Sequence, residues 1–303
     1  MRYLLSRFYA FLLLIFTLVL IGISLQSLRG GSAASIITGQ RASEKDIQKL
    51  DEKYASDKNI VFQAIDMISK YIRFDFGETI KGEPVFKLIN ESFRNTFVLA
   101  ILAAAFALIY GIVFGLFSHA KEKYRTAIVA VNYIVLANPI FILSLILLWV
   151  FSLFLSWLPP GGALLNGWYI LPAAALGLKA GCRLALFTDE FTGREKKNQY
   201  VTTAKAYGFS NAKIYFIFIL KNILLPLLSF WLLDFASYLA GAAIVETIFS
   251  VPGIGRLLLR ALMQYDLNLI MGILVFVSVL VFLVGTVQEG IDRYTAKFSQ
   301  TNG

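Results

Sequence analysis

The chain has few of the residues that build metal or redox sites. It contains one cysteine, Cys182, and one histidine, His119, so neither an internal disulfide nor a Cys/His metal cluster can form. No phosphate-binding loop of the form G-x-x-x-x-G-K-[ST] occurs, which argues against ATP hydrolysis by the usual route. We therefore expect no catalytic residue, no metal and no cofactor bound by this chain.

Charge is also scarce. Only 16% of the residues are charged, against about a quarter in an ordinary soluble domain, while 58% are hydrophobic and 15% aromatic. This composition indicates an all-α integral membrane protein. The formal charge of +9 could suggest nucleic acid, but the Lys and Arg residues flank apolar runs instead of forming a continuous stripe. Nucleic acid is not an expected partner.

The apolar runs predict six transmembrane helices, each long enough to cross about 30 Å of hydrocarbon. They cover residues 8–28, 96–117, 128–155, 169–187, 223–244 and 267–287, so that 96–303 forms a membrane core of five helices. A cleavable signal peptide is the alternative for the first run, because small residues follow it at 31–34. That run is longer than the usual 7 to 15 residues of a signal core, which favours a retained helix.

The distribution of basic residues predicts the orientation. The short segments 1–7, 118–125, 190–222 and 288–303 hold 13 Lys and Arg residues, whereas the short loops on the other side hold two, Arg256 and Arg260. Because cytoplasmic loops carry the excess of positive charge, both termini of this multi-pass membrane protein should face the cytoplasm. Residues 29–93 carry helical periodicity and should form a small helical insertion outside the membrane.

A basic segment between two apolar runs, 190–222, has the features of a docking loop. Residues from Tyr200 to Tyr207 favour a helix that stops at Gly208, which tolerates the left-handed position after a helix. Ser210 can cap a second helix that continues toward Pro226. The alternative is a basic helix that lies on anionic lipid.

Two charges lie near the middle of predicted membrane helices, Lys179 and Asp234. A charge there costs about 2.5 to 3.5 kcal/mol on insertion scales, so it normally faces a partner or a wet cavity. Asp234, Ser237 and Tyr238 share one helical face, which could line a translocation pathway, with Asp234 near the amino group of a passing solute or paired with Lys179. The alternative is that Asp234 forms a structural ion pair or a contact with a second subunit. Asn138 precedes Pro139, which should bend the third helix. The bend could line that pathway, or it could be a structural kink only.

Three segments of the chain resemble the dipeptide, oligopeptide and nickel permease family of ABC importers. The docking loop, T-T-A-K-A-Y-G followed by K-N-I-L-L-P, is similar to the family's cytoplasmic loop, although Thr202 stands where the general loop motif begins with Glu. The segment V-E-T-I-F-S-V-P-G-I-G-R-L from Val245 is the most specific match, and the turn L-P-P-G-G from Leu158 is a further one. The resemblance covers nearly the whole chain.

The resemblance implies a subunit of the bacterial inner membrane that works with a second homologous permease, two ABC ATPases that bind ATP and Mg, and an extracytoplasmic solute-binding protein. Its substrates would be di- or oligopeptides, with nickel or a metal chelate as the alternative. The residues implied at the ATPase contact are Thr202, Thr203, Ala204, Tyr207, Gly208, Phe209, Asn222 and Pro226. Those of the outer turn, within a re-entrant helical segment 245–266, are Glu246, Pro252, Gly253 and Gly255.

Two other classes of membrane protein fit the sequence less well. A secondary transporter should show repeated halves with helices broken at matching positions, and no internal repeat is visible. A membrane enzyme or scaffold should carry a polar catalytic constellation, whereas this chain has one histidine and no clustered carboxylates in its apolar runs.

Overall fold

The computed structural model describes residues 9–10, 13, 16–17, 69–71, 73–120, 122–162, 167–240 and 242–301, without the side chains of 120, 122 and 294–301. They fall into two compact units, one from 1–91 with 257–279 and the other from 92–256 with 280–303. Nearly all of the predicted first membrane helix, 8–28, and most of the predicted insertion, 29–93, lie outside the described residues.

The described residues form helices joined by turns, with one isolated bridge between Glu78 and Pro84. We number the helices from Val85. They are α1 (Val85–Ala120), α2 (Glu122–Ala137), α3 (Ile140–Leu147), α4 (Ile170–Glu195), α5 (Gln199–Ala206), α6 (Asn211–Lys213), α7 (Leu220–Leu239), α8 (Ala243–Ile248), α9 (Ile254–Met263) and α10 (Leu267–Thr301), with π-helical turns at Leu148–Phe154 and Ile214–Ile219.

Four of these segments are long and apolar enough to cross a membrane. They are Val85–His119, Ile170–Glu195, Asn211–Leu239 and Leu267–Arg293. A fifth crossing is made if the pair Lys123–Ala137 and Ile140–Phe154, bent by 107°, counts as one span. The helical membrane architecture expected from the composition is therefore confirmed for the described part of the chain.

The bend in the predicted third helix lies at Asn138 and Pro139, as the sequence predicts. Proline has no backbone N–H to donate, so the helical hydrogen-bond ladder breaks there and α3 starts afresh after Pro139. The Asn138 side chain partly compensates, because its Nδ2 donates to the carbonyl oxygen of Ile134 at 2.7 Å.

Glycines allow close approach of α1 and α4 in the second unit. A Cβ at Gly111 would lie 2.4 Å from the Cβ of Leu184, and one at Gly115 would lie 2.3 Å from the Cβ of Thr188. On α4, a Cβ at Gly177 would lie 2.5 Å from the backbone oxygen of Ala103. The two helices therefore meet through small residues, the usual way in which membrane helices gain packing contacts.

The predicted fifth helix, 223–244, differs at its end. Helix α7 stops at Leu239, and a separate short helix, α8, begins at Ala243. The apolar run continues across both helices, so hydropathy alone could not locate the break. Helix α9, Ile254–Met263, lies within the segment 245–266 that the sequence predicts to be helical.

Candidate functional site: the docking loop, a charged cavity and the outer turn

The docking loop has the local geometry that its sequence predicts. Helix α5 is followed by Gly208 at φ +80°, a left-handed conformation that glycine adopts without steric cost. Ser210 caps α6, since its Oγ accepts a hydrogen bond from the backbone N–H of Lys213 at 3.3 Å. Tyr207, beside the glycine, is 79% exposed. The turn therefore presents an aromatic side chain and an open glycine.

The residues named for the ATPase contact separate into exposed and buried ones. Thr202, Thr203, Tyr207, Gly208 and Phe209 are exposed. A correction concerns Ala204, which is only 5% exposed because it faces a buried apolar cluster. That cluster contains Leu116, Val201, Ala204, Ile214, Tyr215, Ile219, Ile223 and Leu227. Ala204 thus helps to seat α5 on the long helices and is not part of the exposed surface.

Asn222 and Pro226 lie in α7, below the loop. The Nδ2 of Asn222 donates to Glu195 Oε2 at 3.3 Å, and the same oxygen accepts from Tyr200 Oη at 2.6 Å and Asn198 Nδ2 at 3.1 Å. Glu195 is the last residue of α4, so it joins α4, α5 and α7. Pro226 is half-buried inside α7. Asn222 therefore has an intramolecular role in fixing the loop.

Lys179 and Asp234 border one cavity, but they are not paired with each other. Asp234 Oδ1 forms an ion pair with Arg183 at 3.1 Å, whereas Lys179 Nζ donates to the carbonyl oxygen of Asn138 at 3.0 Å. Among the described residues, the Asp234–Lys179 pair that the sequence offered as one alternative does not form. Lys179 and Arg183 are about one turn apart on α4, and of the two it is Arg183 that meets the carboxylate.

The cavity has a volume of about 360 Å³ in the second unit. Polar groups from α4 and α7 share its wall with apolar residues, and Tyr238 Oη is occupied by a hydrogen bond to the carbonyl oxygen of Leu176 at 3.3 Å. The lining residues with polar side chains are Lys179, Arg183, Asp234, Ser237 and Tyr238. Four of the five residues predicted for the pathway thus lie together, and the fifth, Asn138, is joined to them through Lys179.

The outer turn is built around a buried carboxylate. Glu246 is 0% exposed, and its Oε1 accepts from Thr96 Oγ1 at 2.7 Å. Its Oε2 accepts from the backbone N–H of Arg256, in the first turn of α9, at 2.8 Å. Burial raises the pKa of Glu246 above its ordinary value, although these hydrogen bonds act in the opposite direction. Glu246 therefore fixes the start of α9.

Three further residues of this turn have defined places. Gly253 packs directly on the carboxylate, since a Cβ there would lie 2.3 Å from Glu246 Oε1. The carbonyl oxygen of Pro252 accepts from Asn95 Nδ2 at 3.0 Å. Gly255 leaves room for the backbone of Ala243, 2.7 Å from where its Cβ would be. The spacing of these residues reflects close packing around Glu246.

A further buried carboxylate, Asp189, was not predicted as a site residue from the sequence. A lone acidic residue near the end of an apolar run resembles a surface residue. Asp189 Oδ2 lies 2.9 Å from Arg125 Nη2, and its Oδ1 accepts from Ser118 Oγ at 2.5 Å. Tyr215 Oη donates to the carbonyl oxygen of His119 at 3.0 Å. These contacts join the end of α1, α2 and α4 to the base of the docking loop.

Metal binding has no support in the described residues. No group of three or more His, Cys, Asp and Glu side chains lies close enough there to hold a metal ion.

Comparisons with known proteins identify the family of the chain. Residues 107–298 match the family model described as "Binding-protein-dependent transport system inner membrane component". The chain is 32% identical over 266 residues to the oligopeptide transport system permease protein AppB of Bacillus subtilis (strain 168), covering 83% of this chain and 84% of that protein. It is 30% identical over 288 residues to the dipeptide transport system permease protein DppB of the same strain, covering 93% and 92%.

A third relative and a solved structure extend this picture. The chain is 29% identical to the glutathione transport system permease protein GsiC of Escherichia coli (strain K12), covering 86% of each chain. An inward-facing structure of the MetNI methionine ABC transporter aligns with a TM-score of 0.59 at 16% identity, covering 69% of this chain and 96% of that one. At that identity the structural likeness shows the fold alone. The chain belongs to the family of binding-protein-dependent transport system inner membrane components, the permeases of ABC importers.

Proposed function

We propose that this chain is one of two homologous permease subunits of an ATP-driven importer and forms half of its translocation pathway. Two ABC ATPase subunits would supply ATP hydrolysis, and an extracytoplasmic binding protein would deliver the substrate. Peptides are the proposed substrates, supported by relatives whose names specify oligopeptide, dipeptide and glutathione transport. The charged cavity supports a pathway for a polar solute, because membrane interiors hold charges where these face a partner or water.

The proposed topology has six membrane helices in the bacterial inner membrane, with both termini in the cytoplasm. Four long apolar helices and the bent pair support five of them, and the apolar run at 8–28 supports the sixth. The excess of Lys and Arg in the segments that include the docking loop supports its cytoplasmic location.

The observation that carries the proposal is the exposed end of α5. Tyr207 and Gly208 project from a loop that is anchored by the buried Ala204 side and by Glu195. A rigid, anchored turn can transmit movement, since a displacement of the turn must move α4 and α7 with it. An ATPase that closes around this turn would therefore tilt the helices that border the cavity.

The test is co-purification of an ATPase with the detergent-solubilised chain. Gly208→Trp places a bulky side chain on the turn without an internal clash, because nothing lies within 4 Å of a Cβ there. Gly82→Trp is a matched control with the same φ of +80° and the same open surroundings, in a turn outside the docking loop. We expect the intact chain and Gly82→Trp to retain the ATPase and Gly208→Trp to lose it.

Two results would contradict the proposal. The first is an intact chain that brings down no ATPase, which would favour a helix lying on the lipid surface. The second is equal retention by both tryptophan variants, which would place the ATPase contact elsewhere.

A further inference from the structure

Asp234 has an ion-pair partner at one of its two carboxylate oxygens. The residue is 8% exposed, and its Oδ1 pairs with Arg183 at 3.1 Å. Its Oδ2 is buried and has no hydrogen-bond partner among the described residues. A buried carboxylate oxygen without a donor costs free energy, so its environment favours any ligand that brings an N–H to it.

The free oxygen belongs to a residue that lines the cavity of about 360 Å³. This volume is near the lower end of the range of about 300 to 1,000 Å³ for small-molecule sites. Lys179 lines the same cavity and donates one hydrogen to the carbonyl oxygen of Asn138, which leaves two of its three N–H groups for a ligand. Ser237 adds an exposed hydroxyl.

The charges at the cavity are unequal. Lys179 and Arg183 supply two positive charges from α4, and Asp234 supplies one negative charge from α7. A ligand with only an ammonium group would meet a net positive site, and a ligand with only a carboxylate would leave Oδ2 of Asp234 unsatisfied. A ligand that carries both groups balances the site and satisfies that oxygen.

The spacing of these charges fits a very short peptide. Asp234 is held at Arg183, and Lys179 lies four residues earlier on α4, which corresponds to about 6 Å of helical rise. A dipeptide spans about 7 Å when extended. The length of a dipeptide therefore matches the separation of these two positions along α4.

We propose that this cavity binds the free ends of a short zwitterionic peptide, its ammonium group on Asp234 Oδ2 and its carboxylate on Lys179. This rests on the importer function proposed above. Arg183 orients the Asp234 carboxylate through its ion pair, and the apolar wall residues accept a short side chain. The permease then adds a selection step of its own for free peptide ends, separate from that of the binding protein.

The test measures equilibrium binding to the purified, nucleotide-free importer complex without its binding protein. The probes are alanylalanine, its N-acetyl derivative and its C-terminal amide. We expect the intact complex to bind alanylalanine about tenfold or more tightly than either blocked form, as loss of a charged hydrogen bond predicts. Asp234→Asn should abolish discrimination against the N-acetyl form, and Lys179→Gln should abolish discrimination against the amide.

Asp189→Asn is the matched control. Asp189 is also buried and also paired with an arginine, but it lies outside the cavity, so its replacement should leave the preference among the three probes unchanged. If Asp234→Asn fails to assemble, Lys179→Gln decides the question alone, because it changes one end of the site only.

The cavity proposal fails if the intact complex binds the three probes equally or binds none. It also fails if Asp234→Asn keeps its preference over the N-acetyl form. Either result leaves the importer function standing wherever ATPases co-purify and ATP-driven uptake persists. Absence of the ATPases would instead overturn the importer function itself.

Discussion

The buried carboxylate of the outer turn allows a quantitative prediction for Glu246→Ala. The substitution removes the acceptor for Thr96 Oγ1 and for backbone N–H groups of Gly255 and Arg256. Each buried donor left without a partner costs about 1 to 3 kcal/mol, and Arg256 is exposed enough for water to replace part of its bond. We expect a loss of about 3 to 5 kcal/mol in the free energy of unfolding.

The assay is thermal unfolding of the purified complex in one detergent. At about 2 to 4 °C per kcal/mol, the melting temperature of Glu246→Ala should fall by about 6 to 20 °C. Glu190→Ala is the control, because Glu190 is also a glutamate bound to an arginine, Arg194, but both side chains are exposed. An exposed ion pair contributes little, so no measurable shift is expected there.

The reasoning would be refuted by equal melting temperatures for the two variants. That result would mean that the turn before α9 holds its conformation without its buried acceptor. A lower melting temperature for Glu246→Ala but not for Glu190→Ala would agree with hydrogen-bond loss. Glu246→Gln should then be intermediate, since glutamine keeps one acceptor oxygen.

Two further predictions concern pH and helix packing. Burial raises the pKa of Glu246, so its protonated form favours the folded state. This stabilisation is complete below the ordinary pKa of 4.5 and is lost as the pH rises through the pKa of the folded state. The melting temperature should therefore fall over that pH window, and Glu246→Gln should flatten the profile. Gly115→Ala should lower stability by about 1 to 3 kcal/mol, since its Cβ would lie 2.7 Å from the backbone oxygen of Ala185, whereas Gly290→Ala on α10, with nothing within 4 Å, should be neutral or slightly stabilising in the same melting assay.

Local chemistry made several elements predictable. Pro139 removes a backbone donor, which locates the bend within one residue, although the angle of 107° depends on packing. The left-handed conformation of Gly208 and the side-chain cap of Ser210 both follow from the local sequence, and both are confirmed. Such features are encoded within a few neighbouring residues.

Features that depend on contacts between distant helices were not predictable in the same way. The partner of Asp234 is Arg183 and not Lys179. The packing of α7 against α4 decides which of these two residues meets the carboxylate, and the sequence alone does not define that packing. Asp189 gains its arginine partner, Arg125, from helix α2, 64 positions away in the sequence. The burial of Ala204 could have been found, since Val201 and Ala204 are three apart and form the apolar side of α5.

The measurement that tests the central claim most directly is peptide uptake into proteoliposomes containing the whole importer and its binding protein. The account predicts uptake of alanylalanine that requires ATP on the ATPase side, is lost in Gly208→Trp and is retained in Gly82→Trp. Uptake that continues without ATP, or that Gly208→Trp leaves unchanged, would contradict it.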